Sequence, residues 1–155
     1  MARLIDREGD MGTFGTGPFS SDGALDLLDE LKCQSVGQRR EALERIFVQV
    51  RDRPDLLGRK FFPDEIVAAA AVVAASLAGG EDIQRDLGDR GYDVNAILVR
   101  APDPELSASA LEALLVAAGP DGPWHDGWVA PEIAADARQT TDRLEAALRA
   151  SVADA

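Results

Sequence analysis

The feature that most constrains the fold is an almost unbroken apolar run from Ile66 to Ala78, in which Ser76 is the one polar residue. Residues 63–65, a proline and two acids, precede the run, and these residue types favour the first turn of a helix. A helix that is apolar on every side must be surrounded by other elements. The run is too short to cross a bilayer, which takes about 20 residues. It therefore predicts a central helix that ends at the glycines of residues 79–80.

Helical patterns flank this run and predict an all-α fold, a single compact domain of five or six helices around the alanine-rich helix. A first helix is predicted from Asp22 to Lys32. A second begins after Ser35, where Ser35 and Gln38 form a capping-box pattern. Two later helices are predicted to begin at Pro104 and Pro131, because proline fits the first turn of a helix.

The remaining segments give weaker patterns. Residues 81–103 are acidic and interrupted by glycines, which predicts a connection with a single short helix near residues 94–98. Phe61 and Phe62 are expected to point inward. Cys33 is expected to be half-buried, and Arg39 is expected on a polar face of the second helix.

The charge of the chain is strongly negative and unevenly distributed. The formal net charge is −12; residues 1–60 hold 10 basic and 11 acidic side chains, whereas residues 61–155 hold 6 and 17. This balance argues against nucleic-acid and anionic membrane partners, and it fits a basic protein partner. Residues 1–10 contain no apolar run typical of a signal peptide. We therefore expect a cytoplasmic protein, and we expect no cofactor.

A glycine-rich segment precedes the first predicted helix. It spans residues 11–22, here named the signature segment, and its distinctive residues are Gly12, Thr13, Phe14, Gly15, Gly17, Pro18, Phe19 and Asp22. A glycine-rich loop before a helix can bind phosphate through backbone N–H groups. Here, however, no strand precedes the loop, the lysine of a phosphate loop is missing, and Pro18 lacks an N–H. We interpret the segment as a packing plug in which Phe14 and Phe19 fill apolar gaps.

The signature segment also carries a resemblance to a known family. Residues 11–31, MGTFGTGPFSSDGALDLLDEL, closely resemble the opening of the bacterial proteins grouped as domain of unknown function family 4259. A weaker similarity continues through residues 66–78, where the family often has a glutamate and this chain has Ala70 and Ala71. The resemblance implies a family without assigned catalytic residues. Its members are similar in size and acidity to small proteins found near bacterial toxin systems.

The resemblance bears on the domain boundary as well. It favours Met11 as the natural start, because the family motif begins there. Residues 1–10 are accordingly predicted to be a disordered extension, and residues 11–155 a single helical domain.

A loop near the C-terminus combines two indole rings with the one histidine of the chain, as Trp124, His125, Asp126, Gly127 and Trp128. A histidine beside an aspartate can act in acid–base chemistry, which raises the alternative of a small-molecule- or metal-dependent enzyme. Tryptophans in a loop also pack back onto the fold, or anchor a protein interface when they are exposed. We carry the cluster forward as a candidate binding site, with no residue assigned as catalytic.

A second candidate site is the acidic group in residues 81–93, which consists of Glu81, Asp82, Asp86, Asp89 and Asp93. The spacing does not match a calcium loop, so no residue is assigned as a metal ligand. The charges remain solvated, gather a metal, or dock a cationic partner, for which Asp86 and Asp89 are the candidates. The function predicted from the sequence is therefore protein binding, specifically as an immunity-type inhibitor of a basic protein.

Overall fold

The architecture consists of helices joined by short connections. A computed structural model describes residues 17–100, 102–119, 123–124 and 130–153. Within these ranges there are six α-helices and no strand; the helices are α1 (Asp22–Leu31), α2 (Val36–Asp52), α3 (Pro63–Ala75), α4 (Glu81–Asp89), α5 (Pro104–Ala118) and α6 (Pro131–Ala153). Single 3₁₀ turns occur at Pro54–Leu56 and Val94–Ala96. The predicted all-α class is confirmed.

Helix α3 is the centre of the domain. Every residue from Ile66 to Ala75 is completely buried. The helix contacts α1, α2, α4, α5 and α6. Its alanines present little side-chain volume, so neighbouring backbones approach closely, and they lose no side-chain entropy on burial. The central alanine-rich helix predicted from the sequence is confirmed.

Local capping signals set the starts of the helices. The Ser35 hydroxyl accepts a hydrogen bond from the Gln38 N–H, and the Gln38 side chain accepts one from the Ser35 N–H, which completes the predicted capping box. The Asp103 carboxylate accepts from the Leu106 N–H at 2.8 Å at the start of α5. These bonds satisfy N–H groups that have no partner within their own helix.

The predicted connection over residues 81–103 is wrong in its first part, because residues 81–89 form helix α4. Gly88 lies inside this helix and is exposed, with open space around it. Completely burying Leu87 outweighs the modest cost of one helical glycine. The short helix expected near residues 94–98 is a single 3₁₀ turn. Gly91, with φ of 90°, turns the chain after α4.

Helix α3 ends at Ala75, before the glycines predicted to end it. Gly79 adopts a φ of 90°, which reverses the chain after the helix. Gly80 lies against the carbonyl groups of Ala74 and Ala75, where a Cβ would collide. The Gln84 side chain donates to the Ala75 carbonyl at 2.8 Å and so satisfies one terminal acceptor of the central helix.

Three further expectations about side-chain burial are wrong. Phe61 is buried as predicted, but Phe62 is 49% exposed. Cys33 is exposed rather than half-buried. Arg39 is buried, and its guanidinium donates to the carbonyls of Gln34 (3.2 Å), Asn95 (3.2 Å) and Leu98 (2.6 Å). These bonds join α2 to the 3₁₀ turn after α4. Helical periodicity cannot predict this connection, because it depends on the tertiary fold.

The signature segment packs as predicted where the structure describes it. Phe19 is completely buried in the hydrophobic core, and Gly17 and Pro18 form the turn that leads to it. Gly12, Thr13, Phe14 and Gly15 lie outside the described residues, as does the proposed extension over residues 1–10. No helix within the described ranges is long and apolar enough to cross a bilayer.

We predict that Phe19→Ala lowers the free energy of unfolding by about 3–5 kcal/mol, because a fully buried ring leaves a cavity. Phe62→Ala is the matched control, since this ring is half exposed, and we expect a cost below about 1.5 kcal/mol. Urea denaturation followed by circular dichroism measures both. Equal costs for the two variants would contradict the packing role of Phe19.

Candidate functional site

A groove of about 490 Å³ lies between helix α1 and the start of helix α3. Its walls are formed by Gly23, Asp26, Leu27, Glu30, Phe62, Pro63, Asp64 and Glu65. We name it the α1–α3 groove. Its volume is in the range of sites that hold a small ligand or protruding side chains of a partner.

A hydrogen bond between two helix starts fixes the shape of this groove. The Ser21 hydroxyl accepts from the Ala24 N–H at 3.1 Å, which caps α1, and donates to Asp64 Oδ2 at 2.8 Å. Gly23 permits the close approach, because a Cβ at this position would collide with the Asp64 carboxylate. The end of the signature segment is therefore tied to the first turn of α3 and shapes the groove.

The groove concentrates carboxylates that have no cationic partner in the part of the chain that the structure describes. Asp26, Glu30, Asp64 and Glu65 line it, and none of the four forms an ion pair with another described residue. By contrast, Asp29 lies on the same helix and is paired: Lys32 Nζ is 3.5 Å from its carboxylate, and the Tyr92 hydroxyl donates to it at 2.9 Å. Among the described residues, Asp29 of α1 therefore has a cationic partner, whereas Asp26 and Glu30 in the groove have none.

The electrostatics of Glu65 show that this arrangement is costly. Burial raises the pKa of Glu65 above its ordinary value, and the neighbouring charges of Asp64 and Glu30 raise it further. A carboxylate in the first turn of a helix is normally stabilised by the helix dipole. Here desolvation and like charges outweigh that benefit, so a cation entering the groove would relieve the repulsion.

An exposed aromatic ring completes the wall of the groove. Phe62 immediately precedes α3 and is 49% exposed. Among the described residues, Phe62 and Ile133 are the large hydrophobic side chains left exposed. Helical periodicity cannot predict this exposure, because Phe62 lies in the connection before the helix. The acidic wall of the groove does have a signal in the sequence. Asp26 and Glu30 lie four residues apart on the same helix face, where two like charges destabilise a helix, and no lysine lies between them.

Of the site residues predicted near the C-terminus, the structure describes Trp124, which does not line this groove. Trp124 is buried at 9% exposure and belongs to the hydrophobic core. It therefore does not form an exposed interface anchor. His125, Asp126 and Trp128 lie outside the described residues. No group of three or more His, Cys, Asp or Glu side chains within the described ranges is arranged to hold a metal ion.

Asp86 and Asp89, the acidic residues predicted as a docking site, lie on α4 and away from the groove lining. Asp86 accepts a hydrogen bond from Arg90 Nε at 3.2 Å, and Arg90 Nη2 donates to the Ser20 hydroxyl at 2.9 Å. Asp86 therefore orients an arginine that holds the signature segment. Asp89 is exposed. Neither residue lines the α1–α3 groove.

The raised pKa of Glu65 gives a test that depends on pH. A carboxyl group that binds its proton more tightly in the folded state makes stability fall as pH rises above its ordinary pKa of about 4.3. We expect Glu65→Gln to be more stable than the wild type at about pH 7 and to lose this advantage at about pH 4.

The matched control is Glu105→Gln, which also removes an acid from the first turn of a helix but lies on α5. It loses the favourable dipole interaction without relieving any repulsion in the groove, so we expect a small loss of stability at neutral pH. Thermal unfolding at several pH values measures both variants. Equal stability of the two variants at neutral pH would refute the electrostatic description of the groove. A difference in stability that does not decrease at acidic pH would also refute it.

Comparison with known proteins places the chain in a family. The family model described as a domain of unknown function, DUF4259, matches residues 12–141. No curated protein and no solved structure matches the chain. The match includes most of the signature segment and all helices from α1 to α5, and it ends within α6. The chain therefore belongs to the DUF4259 family.

Proposed function

We propose that this protein binds a basic partner protein through the α1–α3 groove and thereby inhibits that partner in the bacterial cytoplasm. The observation that carries the proposal is the combination of the exposed ring of Phe62 with four carboxylates that form no ion pair with a described residue, all on one concave surface. A partner with cationic and apolar side chains would satisfy both features at once. The net charge of −12 supports the proposal further, because it accelerates encounter with a basic protein.

A protein ligand fits this surface better than a metal ion does. A bound metal would be coordinated by oxygen atoms, and it would leave the ring of Phe62 in water. The side chains of a partner protein would neutralise the carboxylates and cover the ring together. Aromatic side chains of this kind are enriched at the centres of protein interfaces.

The inhibitory role is the more specific part of the proposal. It is supported by the acidic character of the chain and by the similarity of family members to small proteins found near toxin systems. Many toxins that act on nucleic acids carry basic surfaces, since they must contact phosphate groups. An acidic groove that occupies such a surface would compete with the substrate of the toxin.

The proposal is tested by measuring the affinity for a purified basic protein that is first captured from the native host. We expect the double variant Asp26→Asn with Glu30→Gln to bind about tenfold more weakly. Each lost ion pair contributes up to about 1 kcal/mol near a surface, and about 1.4 kcal/mol corresponds to a factor of ten. Affinity of the wild type should also fall as salt is raised from about 0.05 to about 0.5 M.

The matched control is Asp82→Asn with Asp89→Asn, which removes the same charge from α4. These side chains are exposed and do not line the groove. We expect its affinity to stay within about twofold of the wild type, because only the long-range attraction changes. Weaker binding of this control, together with unchanged binding of the groove variant, would move the interface to α4 and overturn the proposal.

A further inference from the structure

We infer that the α1–α3 groove binds an arginine side chain of the partner, with its guanidinium stacked on the ring of Phe62 and hydrogen-bonded to the surrounding carboxylates. This inference rests on the proposed function and specifies the group that the groove recognises. It follows from a comparison of the groove with a neighbouring group of side chains on helix α1.

Beside the groove, the protein builds a complete group of cation, aromatic ring and carboxylate. Lys32 Nζ lies 5.6 Å from the centre of the Tyr92 ring and 3.5 Å from the Asp29 carboxylate. The Tyr92 hydroxyl donates to the same carboxylate at 2.9 Å. This group shows how a cation is held here, by attraction to a ring face and to a carboxylate together.

The groove itself has two of these three components. Phe62 supplies the ring, and Asp26 and Glu30 supply carboxylates from the helix. The described residues place no cation in an ion pair with these carboxylates. The component that the described residues do not supply is therefore a positive charge, and the groove of about 490 Å³ leaves space for it.

The chemistry of the groove favours a guanidinium over an ammonium group. The carboxylates come from two helices, and Asp64 is already oriented by its bond from Ser21. A guanidinium presents five donors in a planar fork, so it can bond to several of these oxygens while its face rests on a ring. It is also more weakly hydrated than an ammonium group, which lowers the cost of placing it beside the partly desolvated Glu65.

The test compares two peptides of equal charge, hexa-arginine and hexa-lysine, by isothermal titration calorimetry with the full chain. Hexa-arginine is expected to bind about fivefold more tightly to the wild type. A planar guanidinium can stack on the ring and bond to several carboxylate oxygens at once, and it is more weakly hydrated than the ammonium group of lysine. Phe62→Leu should abolish the difference, because it keeps an apolar side chain without the ring. Phe62→Tyr should retain it. Circular dichroism checks that both variants are folded.

The outcomes separate this inference from the proposed function. Equal affinity of the two peptides, with both weakened by Asp26→Asn and Glu30→Gln, would overturn arginine recognition and leave the basic partner in the groove. A preference for arginine that persists in Phe62→Leu would also overturn it. Binding of both peptides that is unchanged by the groove double variant would overturn the inference and the proposed function together. Tight binding of free arginine would show a metabolite site and would contradict recognition of a protein side chain.

Discussion

The structure depends on the complete burial of helix α3 between Ile66 and Ala75. A helix of this kind must be enclosed on all sides, so α1, α2, α4, α5 and α6 are arranged around it. The first turn of α3 carries Asp64 and Glu65, so it lies outside the core and next to α1. The hydrogen bond from Ser21 to Asp64 then fixes how closely the two helix starts approach. The groove is a consequence of this junction between a buried helix and its exposed first turn.

The described end of the signature segment packs at the same junction and holds the helices around it together. Phe19 anchors it in the core, and the two serines that follow connect it to different helices. Ser20 accepts from Arg90, which is itself oriented by Asp86 on α4, whereas Ser21 caps α1 and bonds to α3. In the described part of the chain, the segment therefore joins three helices and shapes one wall of the groove. This role requires no phosphate, in agreement with the interpretation of the segment as a packing element.

Features set by local chemistry could be predicted from the sequence, and features set by tertiary contacts could not. The apolar run of α3 and the capping pattern of Ser35 with Gln38 identified helices correctly, because these signals act within a few residues. Helix α4 was missed, since its glycine and acids suggest a loop while the burial of Leu87 stabilises a helix. The groove was missed for a related reason: it requires the approach of Gly23 to Asp64, two residues far apart in the chain.

The binding surface that we propose is the α1–α3 groove, where the charges of Asp64 and Glu30 and the burial of Glu65 together disfavour the ionised form of Glu65. The most direct measurement is a titration of the isotope-labelled chain with hexa-arginine, followed through backbone amide chemical shifts. The account predicts that the largest shifts cluster at residues 23–30 and 62–65, on both walls of the groove. Shifts concentrated on α4 around Asp86 and Asp89, or around residues 124–128, with none in the groove, would contradict it.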